Sequence, residues 1–345
     1  MDVTALEFGS VGSVRGEEMH HNKDMEQNET VIGVEGDEVC HDLGVNLQVV
    51  QDERAKRKSK TTLTLKSPYL TRVVDPRDNA NTSERNIWKW VVRNRDEGRE
   101  EVVFNGYNIL VERGDLLTLE SGHHISPRVV DAWSCILNHR ELFRSVASPA
   151  RFFAKTINCM FMSEGEVEKD VDAYKVVSDA LDYGWSLTNP CDADMIIFLV
   201  MQHCWCYCVC VNLKVNRVDI LDSSSAGVAK IDKYDEMPNV VRIMVVKYFE
   251  NKGMDGRVEK VKAQQPKRLQ LPWRDSTAVF DYGVITMRHM ETYTRHTLKR
   301  WDCGLKKGDG KAVNALRTNY CAAIVESDVN GVREKIRQLV KHNTE

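Results

Sequence analysis

Ten cysteines and ten histidines carry the widest chemical range in this 345-residue chain, and they admit two chemistries: metal ligation and attack by a thiolate. Cys204, Cys206, Cys208 and Cys210 look like a metal box. Their spacing argues otherwise, because residues two apart on a strand project from one face about 6.6 Å apart, too far for neighbours to share one tetrahedral zinc. Small buried hydrophobes are the better account. The histidines His123, His124, His289 and His296 are scattered, and His289, within Met287-Arg288-His289-Met290, reads as a helix-packing residue. With no HExxH, no EF-hand loop and no phosphate-binding glycine loop, neither a metal nor a cofactor is expected.

Thiolate chemistry asks for more than a cysteine. A helix N-terminus and an adjacent imidazolium must lower the thiol pKa from about 8.5. A carboxylate has to fix the imidazole tautomer, while a side-chain amide and backbone N–H groups stabilise the oxyanion. These groups need a scaffold, and the composition allows one. Hydrophobic residues make up 42% and charged residues 29% of the chain, which excludes collagen-like, membrane-spanning and wholly disordered classes. A net charge of −3 argues against a surface that grips nucleic acid throughout. No run approaches the roughly 18 to 20 apolar residues of a spanning helix, and the first residues lack a basic segment followed by an apolar one, so neither a membrane association nor a secretory signal is expected. A reducing compartment, nuclear or cytoplasmic, follows as the expectation, with the cysteines as free thiols.

Charge divides the chain. Residues 1–53 hold 13 acidic residues against Arg15 and Lys23, and residues 54–66 hold six basic residues and no acid. Residues 1–65 are therefore read as a disordered acidic leader with a basic linker. Its cluster Arg54, Lys56, Arg57, Lys58 and Lys60 fits a nuclear-import signal, a phosphate-contacting patch or a solvated linker. Residues 66–100 are read as an irregular approach segment, part of it docked through Trp88 and Trp90, and residues 101–345 as the folded domain.

Within that domain Ser126 and Pro127 open an amphipathic helix over 127–144. Residues 195–200, 205–212 and 217–221 read as strands, the last two joined as a hairpin across Leu213 to Asn216. Helices are expected at 239–250, 283–293, 312–325 and 330–341. A small sheet with flanking helices is an α+β pattern.

The segments ADMIIFLVMQH, CVNLKVNRVDILDSS and DYGVITMRHMETY, with weaker support from PRVVDAWSCILN, resemble the ubiquitin-like-protein-specific cysteine proteases, the deSUMOylating peptidases, particularly their transposon-associated plant members. The resemblance covers about residues 101–325 and implies a papain-like cysteine protease fold with a small central sheet flanked by helices. It also implies a thiol peptidase that recognises the tail of a SUMO-class, ubiquitin-like modifier and needs no cofactor. In the family a His-Trp pair opens one strand, an Asp closes the next, and a Gln precedes an Asp-Cys-Gly whose Cys starts a long buried helix.

Carried over residue by residue, the pattern is mostly lost. The Asp position matches Asp222. The nucleophile position falls on Tyr282, and a phenol, with a pKa near 10, is a poor acyl acceptor. Counting back from Val211-Asn212-Leu213-Lys214 puts the His-Trp pair on Trp205-Cys206. His203, two residues upstream, would need a shift of about 7 Å to take the imidazole's place. The oxyanion Gln position holds Ser276, with Gln264, Gln265 and Gln270 further upstream. Asp302-Cys303-Gly304 repeats the family tripeptide, but the LKKGDG after it will not make a buried helix. This content favours a catalytically impaired relative. Three readings stay open: a residual cysteine peptidase using His203, Asp222 and a relocated thiol; a binding module for the modifier; and a relic under no functional constraint.

Overall fold

The computed structural model describes residues 74, 80–93, 95–146, 148–158, 166–183, 188–202, 205–224, 231–294 and 301–342. The acidic leader, the basic cluster, His203, Cys204 and His296 lie outside them. In chain order the elements are α1 (Thr82–Val92), β1 (Val102–Gly106), β2 (Ile109–Glu112), α2 (Arg113–Leu117), α3 (Pro127–Glu141), β3 (Arg151–Phe153), β4 (Ile157–Asn158) and α4 (Glu166–Asp182). There follow β5 (Met195–Gln202), β6 (Trp205–Asn212), β7 (Arg217–Leu221), α5 (Met237–Asn251), α6 (Asp255–Lys262), β8 (Pro266–Arg268), α7 (Tyr282–Thr292), α8 (Gly310–Val325) and α9 (Arg333–His342).

The most apolar segments form the middle of a six-stranded mixed sheet. β5 and β6 pair antiparallel with Gln202 opposite Trp205, and β6 and β7 pair antiparallel with Cys208 opposite Leu221. β3 and β4 run parallel to β5, and β8 runs parallel to β7. Burial is nearly continuous along β5 and β6 because helices cover both faces. Alternation then assigns each side chain to a layer. Met195, Ile197, Leu199, Cys206, Cys208 and Cys210 face the core shared with α3, α7 and α8, whereas Ile196, Phe198, Val200, Tyr207, Val209 and Val211 face the one shared with α4, α5 and α6. The α+β papain-like architecture is therefore the one observed, with helix ends within a few residues of expectation. Ser126 and Pro127 open α3 as read, the Ser126 Oγ accepting from the Arg128 N–H at 3.3 Å.

One segment departs from expectation. The stretch 66–100, read as an irregular approach, contains the helix α1. Its polarity belongs to the solvent face. The start is fixed by a capping box, with Asn81 Oδ1 accepting from the Glu84 N–H at 3.0 Å and Glu84 Oε2 from the Asn81 N–H at 2.6 Å. Ile87, Trp90 and Val91 bury the other face. Arg113 ties off the far end, donating from Nη2 to the Trp90 carbonyl at 2.7 Å and from Nε to that of Val91 at 3.1 Å. Among the described residues no helix is long and apolar enough to cross a membrane.

Candidate active site

The start of β6, the end of β7 and the start of α7 meet at one end of the sheet's inner strands. α7 is buried along almost its whole length, and it is stitched to β6 by Thr286 Oγ1 donating to the Cys206 carbonyl at 3.1 Å. Its second residue has to be glycine, because a Cβ on Gly283 would lie 2.1 Å from the Ile125 methyl carbon Cγ2. Arg317 of α8 anchors the approach to α7, donating to the Phe280 carbonyl at 2.8 Å and to Asp281 Oδ1 at 2.6 Å. Tyr282 is thereby held at the helix start, only 2% exposed.

Asp222 follows the last residue of β7 and is buried. It is fully engaged. Its carboxylate accepts from the Ser224 N–H at 2.8 Å, the Ser224 hydroxyl at 2.9 Å and the Tyr234 hydroxyl at 2.6 Å. It also pairs with Arg268 at 3.1 Å and with Lys233. Burial alone would raise its pKa, but the hydrogen bond and charge of Lys233, with the Tyr234 hydroxyl and the Ser224 N–H, hold it below the ordinary carboxylate value.

Trp205, on which the residue count places the family's imidazole, is the first residue of β6. Its ring stacks on Tyr282, with centroids 5.7 Å apart and planes at 25°, and Lys233 Nζ sits 4.5 Å from its centroid. The Tyr282 hydroxyl donates to the Asp275 carbonyl at 3.2 Å and approaches that of Ser276 at 3.5 Å. Asp222, Lys233, Trp205 and Tyr282 thus form a continuous carboxylate–ammonium–indole–phenol series. An indole has no basic lone pair and an ammonium has no acceptor, so neither Trp205 nor Lys233 takes a proton from a nucleophile.

Thiols offer no substitute among the described residues. Cys206, the nearest in sequence to the site, points into the core, and burial pushes it up to about 12. Burial also raises Cys135, Cys191, Cys208, Cys210 and Cys321, opposite to the direction a nucleophile requires. Cys303 is buried in the loop before α8, not at a helix start. Cys206, Cys208 and Cys210 are free and buried, and no cluster that could hold a metal ion occurs among the described residues.

Of the residues singled out in the sequence, the structure brings Asp222, Trp205 and Tyr282 together. Ser276 lies exposed in the loop before α7 and presents its carbonyl, not its hydroxyl, to Tyr282. Gln265 and Gln270 are exposed, and β8, which they flank, sends Arg268 rather than an amide toward Asp222. Sequence reasoning missed Lys233, Tyr234 and Arg268. A carboxylate at a strand end whose expected histidine is absent needs another cation, and this was the one available signal. The pair His123-His124 also gains a setting: both are exposed, and the His124 ring lies 4.9 Å from that of Phe280, beside the start of α7.

His289 is a core residue, as its position in α7 implied. It is fully buried and accepts from Trp273 Nε1 at 2.9 Å. Burial lowers its pKa to about 3. The neutral form is favoured on folding, so this contribution is complete above the unfolded value of about 6.5 and is lost as pH falls toward the folded one. Urea unfolding is expected to lose up to about 1.4 kcal/mol per pH unit below pH 6.5 through this group, and His289→Gln to remove that part of the slope. An unchanged slope in the variant would reassign the effect.

No family model and no curated protein matches the chain. Solved structures do. The C-terminal Ulp1 protease domain, solved in complex with Smt3, the yeast ortholog of SUMO, aligns with a TM-score of 0.52 and 12% identity over 73% of this chain and 98% of its own. Ulp1 with its catalytic cysteine oxidised to a sulfonic acid aligns at 0.50 and 13%, over 74% and 100% of the two chains. The catalytic domain of the Ulp1-like SUMO protease of Chaetomium thermophilum aligns at 0.50 and 13%, over 75% and 95%. The chain thus has the fold of the Ulp1-like SUMO protease catalytic domain.

Proposed function

We propose that this chain is a catalytically impaired ubiquitin-like protease domain that binds a SUMO-class modifier in the nucleus or cytoplasm without cleaving it. The observation that carries the reading is the Trp205–Tyr282 stack backed by Lys233, on the two residues to which the family pattern assigns imidazole and thiol. Support for the partner comes from the fold, which a Ulp1 domain in complex with Smt3 shares. Support for silence comes from the described thiols, whose burial disfavours the thiolate.

The test uses the full chain and a SUMO modifier tipped with a vinyl sulfone, alongside a direct binding measurement with the untipped modifier. Saturable binding without a covalent adduct is the expected result. An adduct would overturn it in favour of a residual cysteine peptidase working through His203. Absence of binding up to about 1 mM, the weak end of specific association, would leave the relic reading.

A further inference from the structure

Two cations pair with one carboxylate at the end of β7, and a third bears on the same group of side chains. Lys233 and Arg268 pair directly with Asp222, and Arg274 bears electrostatically on Lys233 and Tyr234. The Lys233 and Arg268 side chains are only 12% and 7% exposed, so water screens their charge weakly. Neighbouring carboxylates are engaged elsewhere. Asp235 Oδ2 accepts from Gln202 Nε2 at 2.9 Å, and Asp275 Oδ1 accepts from the Thr277 N–H at 2.9 Å and its hydroxyl at 2.7 Å.

Two donors in the cluster have no hydrogen-bond acceptor among the described residues: the Ser223 hydroxyl, on a residue 1% exposed, and Arg274 Nη1. A buried donor left without an acceptor is costly until one arrives. Trp205, half-buried beneath Lys233, borders the cluster and carries it to Tyr282. An anion with two acceptor oxygens satisfies both the charge and the donors.

Resting on the modifier-binding reading above, we propose that this cluster receives the free carboxylate at the end of a processed ubiquitin-like modifier, so that the domain selects the free modifier over its amide-linked conjugates. Cleavage of an amide needs a base with a free lone pair beside the scissile bond, and a lysine ammonium paired with a carboxylate has none. The negative charge of the tail is the feature that a processed modifier has and a conjugate lacks. Lys233 and Arg274 read that charge.

Binding of the full chain is measured with a SUMO modifier in three forms: ending in a carboxylate, ending in a primary amide, and truncated before its tail. The carboxylate form is expected to bind about tenfold tighter than the amide, the scale of a charge-assisted over a neutral hydrogen bond. Lys233→Gln and Arg274→Gln should each bring the two forms level. Arg274 is half-buried and its Nε bonds to the Leu271 carbonyl, so its variant serves if Lys233→Gln does not fold. Equal affinity for carboxylate and amide forms overturns this proposal and leaves the modifier-binding reading intact. Failure of every form to bind overturns both. A preference that survives in both variants also sinks the proposal, because the carboxylate is then held elsewhere.

Discussion

Replacing Tyr282 by Cys and Trp205 by His together is expected to create capture by a vinyl-sulfone-tipped SUMO modifier, at least about 100-fold faster than either single replacement. The thiol would stand at the start of α7, where the helix N-terminus favours the thiolate. The imidazole would take the place of a ring that already stacks on residue 282, within reach of the new sulfur. Neither change suffices alone: with Tyr282→Cys only, the new thiol faces an indole with no lone pair to offer, and with Trp205→His only, the imidazole has just a phenol beside it. Lys233 should limit the pair, because it occupies the carboxylate that must orient the imidazole. Adding Lys233→Ala is therefore expected to raise capture again, as Asp222 becomes available. Large-to-small changes in a buried stack cost about 3–5 kcal/mol, so near-UV circular dichroism should accompany the rates to show that each variant is folded. Capture by Tyr282→Cys alone, at the rate of the double variant, would mean that His203 acts as base and that the register placing Trp205 at the imidazole position is wrong.

Asp222→Asn is expected to lower the unfolding free energy by about 3–5 kcal/mol, the usual loss when one member of a buried ion pair is removed and its partners stay. Lys233 and Arg268 would face a neutral amide, and the Tyr234 hydroxyl would lose a charged acceptor. The sign with pH follows from the depressed folded pKa of Asp222. Its contribution is present above the unfolded carboxylate value of about 4 and is lost as pH falls below it, through the lower folded value. The difference between native chain and variant in urea unfolding should therefore be full at pH 7 and shrink below about pH 4. Lys233→Met should cost less, since Arg268 continues to pair with Asp222. A loss under about 1 kcal/mol for Asp222→Asn would place the cluster with solvent-screened surface pairs.

Much of the scaffold was legible because the signals are local. MIIFLV and WCYCVCVN are long enough to be strands and too apolar to have a wet face, and they lie at the centre of a sheet covered on both sides. Ser126 and Pro127 announced α3 through cap chemistry that acts within three residues. α1 was missed for the converse reason: its polar face dominates the composition, and the apolar triplet Ile87, Trp90 and Val91 gains meaning only from the core it docks on.

At the site the division is similar. The absence of sulfur at position 282 and of imidazole at position 205 is a property of residue type, and a register count was enough to find it. Lys233 was invisible because it follows β7 in a polar stretch without a motif, and its role arises from proximity to Asp222, Trp205 and Tyr234.

By itself, the amino-acid order determined the α+β class and the strands and helices that meet at the site, because periodicity and caps are written locally. Only the tertiary structure decided what surrounds Asp222 and Tyr282: a buried ammonium bonded to the one and a ring stacked on the other. Charge pairing and ring stacking depend on distances between groups far apart along the chain, and those distances exist only once the sheet and α7 have packed together.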